Sequence, residues 1–175
     1  MRFEATPLAG AFVIRPQRFT DDRGFFQRTY DRALFIEQGL EPCGEQCSIS
    51  FNLRAGTLRG MHFQEEPHGE AKLVRVSRGA MYDVIVDVRA GSPTRGKAFG
   101  VMLDAEEGAA LYIPRGFAHG FQTLQDNSEM CYSMSTPFVA EAARGYRPND
   151  PAFDIDWPLP ISVISPRDLA YPDFT

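Results

Sequence analysis

Between closely spaced turn residues the chain runs in short stretches rich in Val, Ile, Phe and Tyr, the pattern of many short strands rather than of long helices. The clearest is Met81 to Val88, MYDVIVDV. Tyr82, Val84, Val86 and Val88 share one face of it, and Met81, Asp83, Ile85 and Asp87 share the other, which predicts a strand with one apolar side. Further strands are expected over 11–15, 25–29, 46–52, 57–63, 72–77, 98–103, 110–113, 120–123 and 129–136. Only Asp31 to Gln38, DRALFIEQ, reads as a helix, with Asp31 able to cap it and Gly39 to stop it. A second short turn is expected over Ala140 to Arg144. From Pro148 onward the prolines at 148, 151, 158, 160, 166 and 172 argue against regular sheet. Phe153, Ile155, Trp157, Val163 and Ile164 give that stretch an apolar side to wrap over the strands. The chain carries no internal repeat or linker, so residues 1–175 are expected to form one antiparallel all-β domain.

Composition narrows the picture. The 15 glycines and 13 prolines are scattered through the 175 residues, which limits helix length, and 43% hydrophobic residues suffice for a core without staples. With 18 Lys and Arg against 23 Asp and Glu the formal net charge is −5. That argues against nucleic acid or an anionic membrane as partner, and leaves room for a local basic pocket. No apolar run reaches the roughly 18 residues that span a bilayer, and the opening MRFEATPLAGAFVIRP lacks the apolar stretch of a signal peptide. Cys43, Cys47 and Cys131 are an odd set with no second pair to complete a zinc site. They are expected as plain thiols in a reducing cytoplasm.

The candidate chemistry starts from three histidines. His62 lies in LRGMHFQ, where strict alternation groups it with Gly60 and Gln64 and puts Arg59, Met61 and Phe63 on the other face. A histidine on a strand serves equally as a hydrogen-bonded structural residue. His119 ends a pattern of Gly108, Pro114, Gly116 and His119 that resembles the second cupin motif, in which Pro and Gly make the turn that presents the histidine at the barrel mouth. A plain hairpin would read the same way. A metal-binding cupin needs a second ligand two residues after His62. That position holds Gln64, a poor ligand for a transition metal, although Glu70 and His68 lie nearby. No metal is expected.

Nine blocks, DDRGFF (21–26), GTLRGMHFQ (56–64), KLVRVSRG (72–79), DVIVDVRAGSPT (83–94), YIPRGFAHGF (112–121), the tyrosine of MCYSM (130–134), ND (149–150), DW (156–157) and SPRD (165–168), resemble the dTDP-4-dehydrorhamnose 3,5-epimerase family, in order and over nearly the whole chain. The resemblance implies a cupin-type jelly roll, or double-stranded β-helix, with one or two short helices. It also implies a homodimer through N-terminal strands, and a cofactor-independent epimerase acting on a nucleotide-diphosphate sugar. Epimerising C3 and C5 of a 4-keto sugar needs a base, a cation or donor at the carbonyl oxygen, and an acid across the ring. By resemblance His62 is the base, Asp168 the carboxylate that orients it, Lys72, ten residues on and expected on the neighbouring strand, the cation, and Tyr132 the acid. Arg23, Arg59, His119, Phe138, Gln46, Ser48 and Arg167 match substrate-binding positions, with Arg23, Arg59 and Arg28 expected to converge on a diphosphate. Asp83 is expected to help set the charge on Lys72. Taken singly, Lys72 reads equally as surface charge, Tyr132 as core, Asp168 as a turn cap and Phe138 as a core aromatic.

Four places depart from the family pattern. Arg28 and Ala143 stand at usual glutamates, Phe138 stands at a usual tyrosine, and Gln46-Cys47-Ser48 stands for a Gln-Asp-Asn triplet. They fall at the nucleotide end, so the chemistry carries over more directly than the base. Rival readings are a 3-epimerase or ketoisomerase of a related sugar nucleotide, a metal cupin oxygenase using His62, His119 and Glu70, and a non-catalytic sugar-nucleotide binder.

Overall fold

A computed structural model describes residues 1–175. Fourteen short strands and two short helices follow the turn signals: β1 (Arg2–Ala5), β2 (Phe12–Arg15), β3 (Arg18–Asp21), β4 (Gly24–Gln27), α1 (Arg32–Glu37), β5 (Gln46–Asn52), β6 (Thr57–Gln64), β7 (Lys72–Arg78), β8 (Ala80–Asp87), β9 (Ala98–Asp104), β10 (Ala110–Ile113), β11 (Phe117–Thr123), β12 (Ser128–Met134), β13 (Ala143–Gly145), β14 (Val163–Ile164) and α2 (Pro166–Leu169). One sheet runs β1-β2-β10-β7-β12-β5 and the other β13-β6-β11-β8-β9. This is the double-sheet jelly roll that the resemblance implies. The hairpin β3–β4 belongs to neither sheet.

The core has three layers of apolar contact because each sheet is also covered over part of its outer face. Val74, Val76, Leu111 and Met130 of the first sheet meet Met81, Ile85, Leu103, Phe117 and Phe121 of the second in the interior. Outside the first sheet, Phe35 of α1 is fully buried against Ile14, Leu73 and Tyr112. Outside the second sheet, Val84, Val86 and Ala118 pack under Phe153, with Trp157 and Phe174 alongside. Each such aliphatic side chain contributes about 1.5–3 kcal/mol when removed from water. The C-terminal stretch therefore does wrap the barrel.

Several expectations are corrected. β8 is apolar on both sides, since Met81 and Ile85 face the interior while Val84 and Val86 face the C-terminal wrap. The prolines after 148 do not exclude regular structure: β14 pairs parallel with β6, and Pro166 sits in the first turn of α2, where its missing N–H costs nothing. Over 140–144 a 3-10 turn ends at Ala142 and β13 begins at Ala143. β11 starts at Phe117 rather than Gly120, and the strand expected over 25–29 is β4, ending at Gln27. The short strands β1 and β3 carry no clear alternation. Asp31 caps α1 as expected, accepting from the Ala33 and Leu34 N–H groups.

The loop from β8 to β9 is knotted on Asp87, which is fully buried. Its carboxylate accepts from Arg89 Nε (2.9 Å) and from the hydroxyls of Ser92 and Thr94 (2.6 Å each). The Arg89 guanidinium then lies over Phe117 at the start of β11. Burial alone would raise the Asp87 carboxyl, but the hydrogen bonds from Arg89, Ser92 and Thr94 outweigh it and hold it far below the usual carboxylate range. Asp87→Ala is expected to cost about 3 kcal/mol in urea unfolding at pH 7, because it strands these donors. A folded carboxyl held below its unfolded value of about 3.9 stabilises above that pH and loses the effect as pH falls, so the difference between wild type and Asp87→Asn should shrink in acid.

Candidate active site

The two sheets splay apart at one end around a cavity of about 300 Å³ whose wall includes Ser48, Ser50, Arg59, His62, Glu70, Lys72, His119, Tyr132 and Phe138. Register decides which sheet supplies each of them. In the first sheet Tyr132 pairs with Ser48 on β5 and Val74 on β7, and Met134 pairs with Lys72, so Ser48, Lys72 and Tyr132 share the inner face. In the second sheet His62 pairs directly with His119.

Arg59 reaches the same face as His62 through a β-bulge. Between the pairs Arg59–Phe121 and His62–His119, β6 has two residues where β11 has only Gly120. The extra residue reverses the alternation. Strict alternation therefore misplaces Arg59: of that group only Met61 and Phe63 turn outward, into the apolar layer under the C-terminal wrap. The bulge needs Gly60, whose φ is +132° and whose Cβ, if present, would lie 2.5 Å from the Gly120 Cα.

His62 is oriented from outside the sheets. Ser165 caps α2, and Asp168 in that helix points into the barrel and is nearly fully buried. His62 Nε2 donates to Asp168 Oδ1 (2.7 Å), and the Gly60 N–H donates to Oδ2 (3.3 Å). Burial would raise the Asp168 carboxyl, but the His62 hydrogen bond and charge, with those from Gly60 and Ser165, hold it below the usual range. Because Nε2 carries the proton given to Asp168, Nδ1 is left as an acceptor, the state a general base requires. The Tyr171 ring packs edge-on against the imidazole at 5.8 Å.

Lys72 lies on the facing sheet, not on a strand next to β6, with Nζ 3.5 Å from the His62 carbonyl. Its ion pair is with Glu70 (3.0 Å), and both side chains are largely buried. Asp83 is not the ion-pair partner of Lys72. It bonds His119 Nε2 at 2.9 and 3.1 Å. His119 is 4% exposed and forms the cavity floor rather than its mouth. Tyr132 stands edge-on to His119 at 6.0 Å. Burial, reinforced by the Asp83 charge, raises its phenol well above the ordinary value, with Arg59 opposing weakly. The phenol is a neutral proton donor at any working pH.

At the open end Arg59 Nε donates to Asn52 Oδ1 (2.8 Å), leaving the rest of the guanidinium to the cavity. Phe138 is 57% exposed, and its N–H donates to Gln46 Oε1 (3.0 Å). Arg167 lines an adjoining alcove with Ala143, Arg144 and Tyr171. Arg23 and Arg28 are not brought together with Arg59 within the chain. Arg23, 89% exposed, pairs with Asp21 on the hairpin, and Arg28 pairs with Asp31 at the start of α1. No three His, Cys, Asp or Glu side chains converge as a metal site. Ser50, Phe121 and Met134 also line the cavity. The period of two along β5, β11 and β12 would have found them.

Residues 5–175 match the family model described as dTDP-4-dehydrorhamnose 3,5-epimerase. The chain is 42% identical to the dTDP-4-dehydrorhamnose 3,5-epimerase of Sinorhizobium fredii, over 98% of its own length and 89% of the relative's. The crystal structure of dTDP-4-dehydrorhamnose 3,5-epimerase from Elizabethkingia anophelis NUHP1 is similar at a TM-score of 0.95 and 37% identity, covering 99% of this chain and 96% of that one. The dTDP-6-deoxy-D-glucose-3,5-epimerase of Legionella pneumophila, solved in complex with dTDP-4-keto-L-rhamnose, gives a TM-score of 0.92 at 34% identity over 98% and 92%.

The raised phenol is directly measurable. In a difference titration at 295 nm between wild type and Tyr132→Phe, the Tyr132 absorbance should appear only above the range of an ordinary tyrosine, about 10. A phenolate forming at or below that value would contradict the desolvated position.

Proposed function

The chain belongs to the dTDP-4-dehydrorhamnose 3,5-epimerase family, and on that basis we propose how its cavity inverts C3 and C5 of dTDP-4-keto-6-deoxy-D-glucose to give dTDP-4-keto-L-rhamnose. The protein is an isomerase, a sugar-nucleotide epimerase. The observation that carries the mechanism is that His62 and Tyr132 sit on facing sheets, across one cavity. His62 Nδ1 removes the proton alpha to the C4 carbonyl, and the electron pair moves onto the carbonyl oxygen. The Lys72 ammonium stabilises that enolate. Tyr132 then delivers a proton to the opposite face of the same carbon and is reprotonated from water, while His62 Nδ1 gives the proton it took back to water. The cycle runs once at each carbon. Only protons move, so the step needs no cofactor.

Asp168 supports this by fixing the His62 tautomer and stabilising the imidazolium that forms. Arg59 offers a planar fork to the diphosphate, joined by Arg167 from the alcove. Phe138 stacks on the base, Gln46 and Ser48 meet the nucleotide side, and His119, backed by Asp83, donates to the sugar. The family match over residues 5–175 supports reading the whole chain as one epimerase unit. The three free thiols, with Cys47 exposed, support a reducing cytoplasm.

The homodimer belongs to the same reading. Phe19, Phe25 and Phe26 on the β3–β4 hairpin are each more than half exposed, as is Ile49 on the open edge of the first sheet. Water-exposed aromatics on a projecting ribbon are what a second copy would cover. Packing of the hairpin on the partner would bring Arg23 and Arg28 toward the partner's diphosphate, which explains their distance from Arg59 within one chain. Sedimentation should give about twice the 19.6 kDa chain mass, and replacing Phe25 and Phe26 with Asp should give a monomer.

In deuterated water the enzyme should place label at C3 and C5 of the product. Label at C3 alone would make it a 3-epimerase, and no label would overturn the mechanism. His62→Ala should lower kcat about 10²–10⁴-fold and abolish exchange. Tyr132→Phe should lower product formation comparably yet still exchange substrate protons with solvent, because His62 can return a proton to the face it came from.

A further inference from the structure

Gln64, which stands at the second-ligand position of a metal cupin, has no part in the mechanism above, yet its amide is more fully bonded than any group the mechanism uses. The residue is 4% exposed at the end of β6. Its Nε2 lies 3.1 Å from Glu70 Oε2, 3.0 Å from the His68 carbonyl and 3.2 Å from the Pro137 carbonyl. Its Oε1 accepts the Val139 N–H at 2.6 Å. Two consequences follow from these partners. Glu70 is the carboxylate whose other oxygen holds Lys72 Nζ. Pro137 and Val139 are the two chain neighbours of Phe138, whose ring is mostly exposed and is therefore placed by its backbone rather than by packing.

We propose that Gln64 is a positioning residue that couples the two ends of the cavity. One amide fixes the Glu70–Lys72 pair, which meets the enolate oxygen, and also clamps the Pro137–Val139 backbone, which aims Phe138 at the nucleobase. A buried amide whose nitrogen faces only acceptors and whose oxygen faces a donor has one orientation, so the two arms cannot relax independently. The inference rests on the epimerase reading for the roles of Lys72 and Phe138, whereas the amide's double bonding is independent of that reading.

The test separates the arms. Turnover of dTDP-4-keto-6-deoxyglucose is followed together with calorimetric binding of dTDP, which has no sugar and so reads only the nucleotide end. Gln64→Leu keeps the bulk and removes every hydrogen bond. It should lower kcat and weaken dTDP each about tenfold, the effect of roughly 1.4 kcal/mol at each end. In a Glu70→Ala background it should no longer lower kcat but should still weaken dTDP. In a Phe138→Ala background it should no longer weaken dTDP but should still lower kcat. Gln64→Glu, the variant nearest in shape, keeps an acceptor for Val139 but sets a like charge beside Glu70, so its kcat should fall further and its dTDP affinity less. Equal losses in all three backgrounds would mean a merely structural amide and overturn the proposal. Turnover absent from wild type would instead refute the epimerase reading and leave the dTDP arm still readable.

Discussion

The site depends on one irregularity, the bulge at Gly60–Met61 opposite Gly120. A regular β6 would send Arg59 and His62 to opposite faces of the sheet, one into the cavity and the other into the apolar layer beneath Phe153. The bulge puts both on the inner face and spends the extra residue on Met61, which is fully buried outside. It also presents the Gly60 N–H to Asp168, whose other oxygen holds His62. One carboxylate thus satisfies the irregular backbone and orients the imidazole beside it, so the geometry of the base and the integrity of the strand rest on the same group. This is why the C-terminal stretch belongs to the site: α2 and its Ser165 cap exist at that place to carry Asp168 back to β6.

On the proposed reading a chain of net charge −5 can still receive a diphosphate, because the cations in the cavity keep donors beyond those given to their identified partners. Arg59 gives one N–H to a neutral amide, Asn52, and loses no charge to it. Lys72 is matched by Glu70, which keeps its ammonium in place inside a partly desolvated wall at the cost of part of its field. In the proposed mechanism Glu70 therefore tempers the electrophile, and the pair has to be fixed in orientation if the ammonium rather than the carboxylate is to face the developing enolate. His119 is tied to Asp83 in the same manner and forms the floor. Tyr132 alone among these groups makes no side-chain hydrogen bond within the chain, and burial keeps it neutral, so its proton is available to whatever lies opposite.

How much of this was legible in the sequence follows the same division. The strands, the capped helix and the jelly roll were readable because each is set by local alternation, turn chemistry or a spaced motif. Alternation failed where tertiary structure overrides it. β8 was read as having one apolar side because Asp83 and Asp87 fall on its other face, yet both carboxylates are buried and spent on His119 and on the β8–β9 loop. Arg59 was misplaced because a bulge leaves no trace in hydrophobic period beyond a glycine. Lys72 was set beside β6 because consecutive strands usually pair, whereas in a jelly roll the chain crosses between sheets. Chain order likewise couples Asp83 to Lys72, whereas β7 lies in the other sheet and the partner of Asp83 is His119 on the neighbouring strand β11, far along the chain but close in space.

The departures from the family pattern obey a structural rule. His62, Lys72, His119 and Tyr132 lie on β6, β7, β11 and β12, strands flanked on both sides within their sheets, where a change of side chain disturbs two neighbours and a buried face at once. Ala143 lies on the edge strand β13, Phe138 on the loop before it, Cys47 and Ser48 on the edge strand β5 and Arg28 just past the hairpin. At those places substitution costs little stability, since one side is open to water. Ala143 pairs with Gln64 in register, and its short side chain leaves the alcove of about 190 Å³ where Arg144, Arg167 and Tyr171 gather. On the proposed reading the chemistry is thereby anchored in the least substitutable part of the barrel, and recognition of the nucleotide falls to its edges and loops. Gln64, bonded to both, is where the two parts meet.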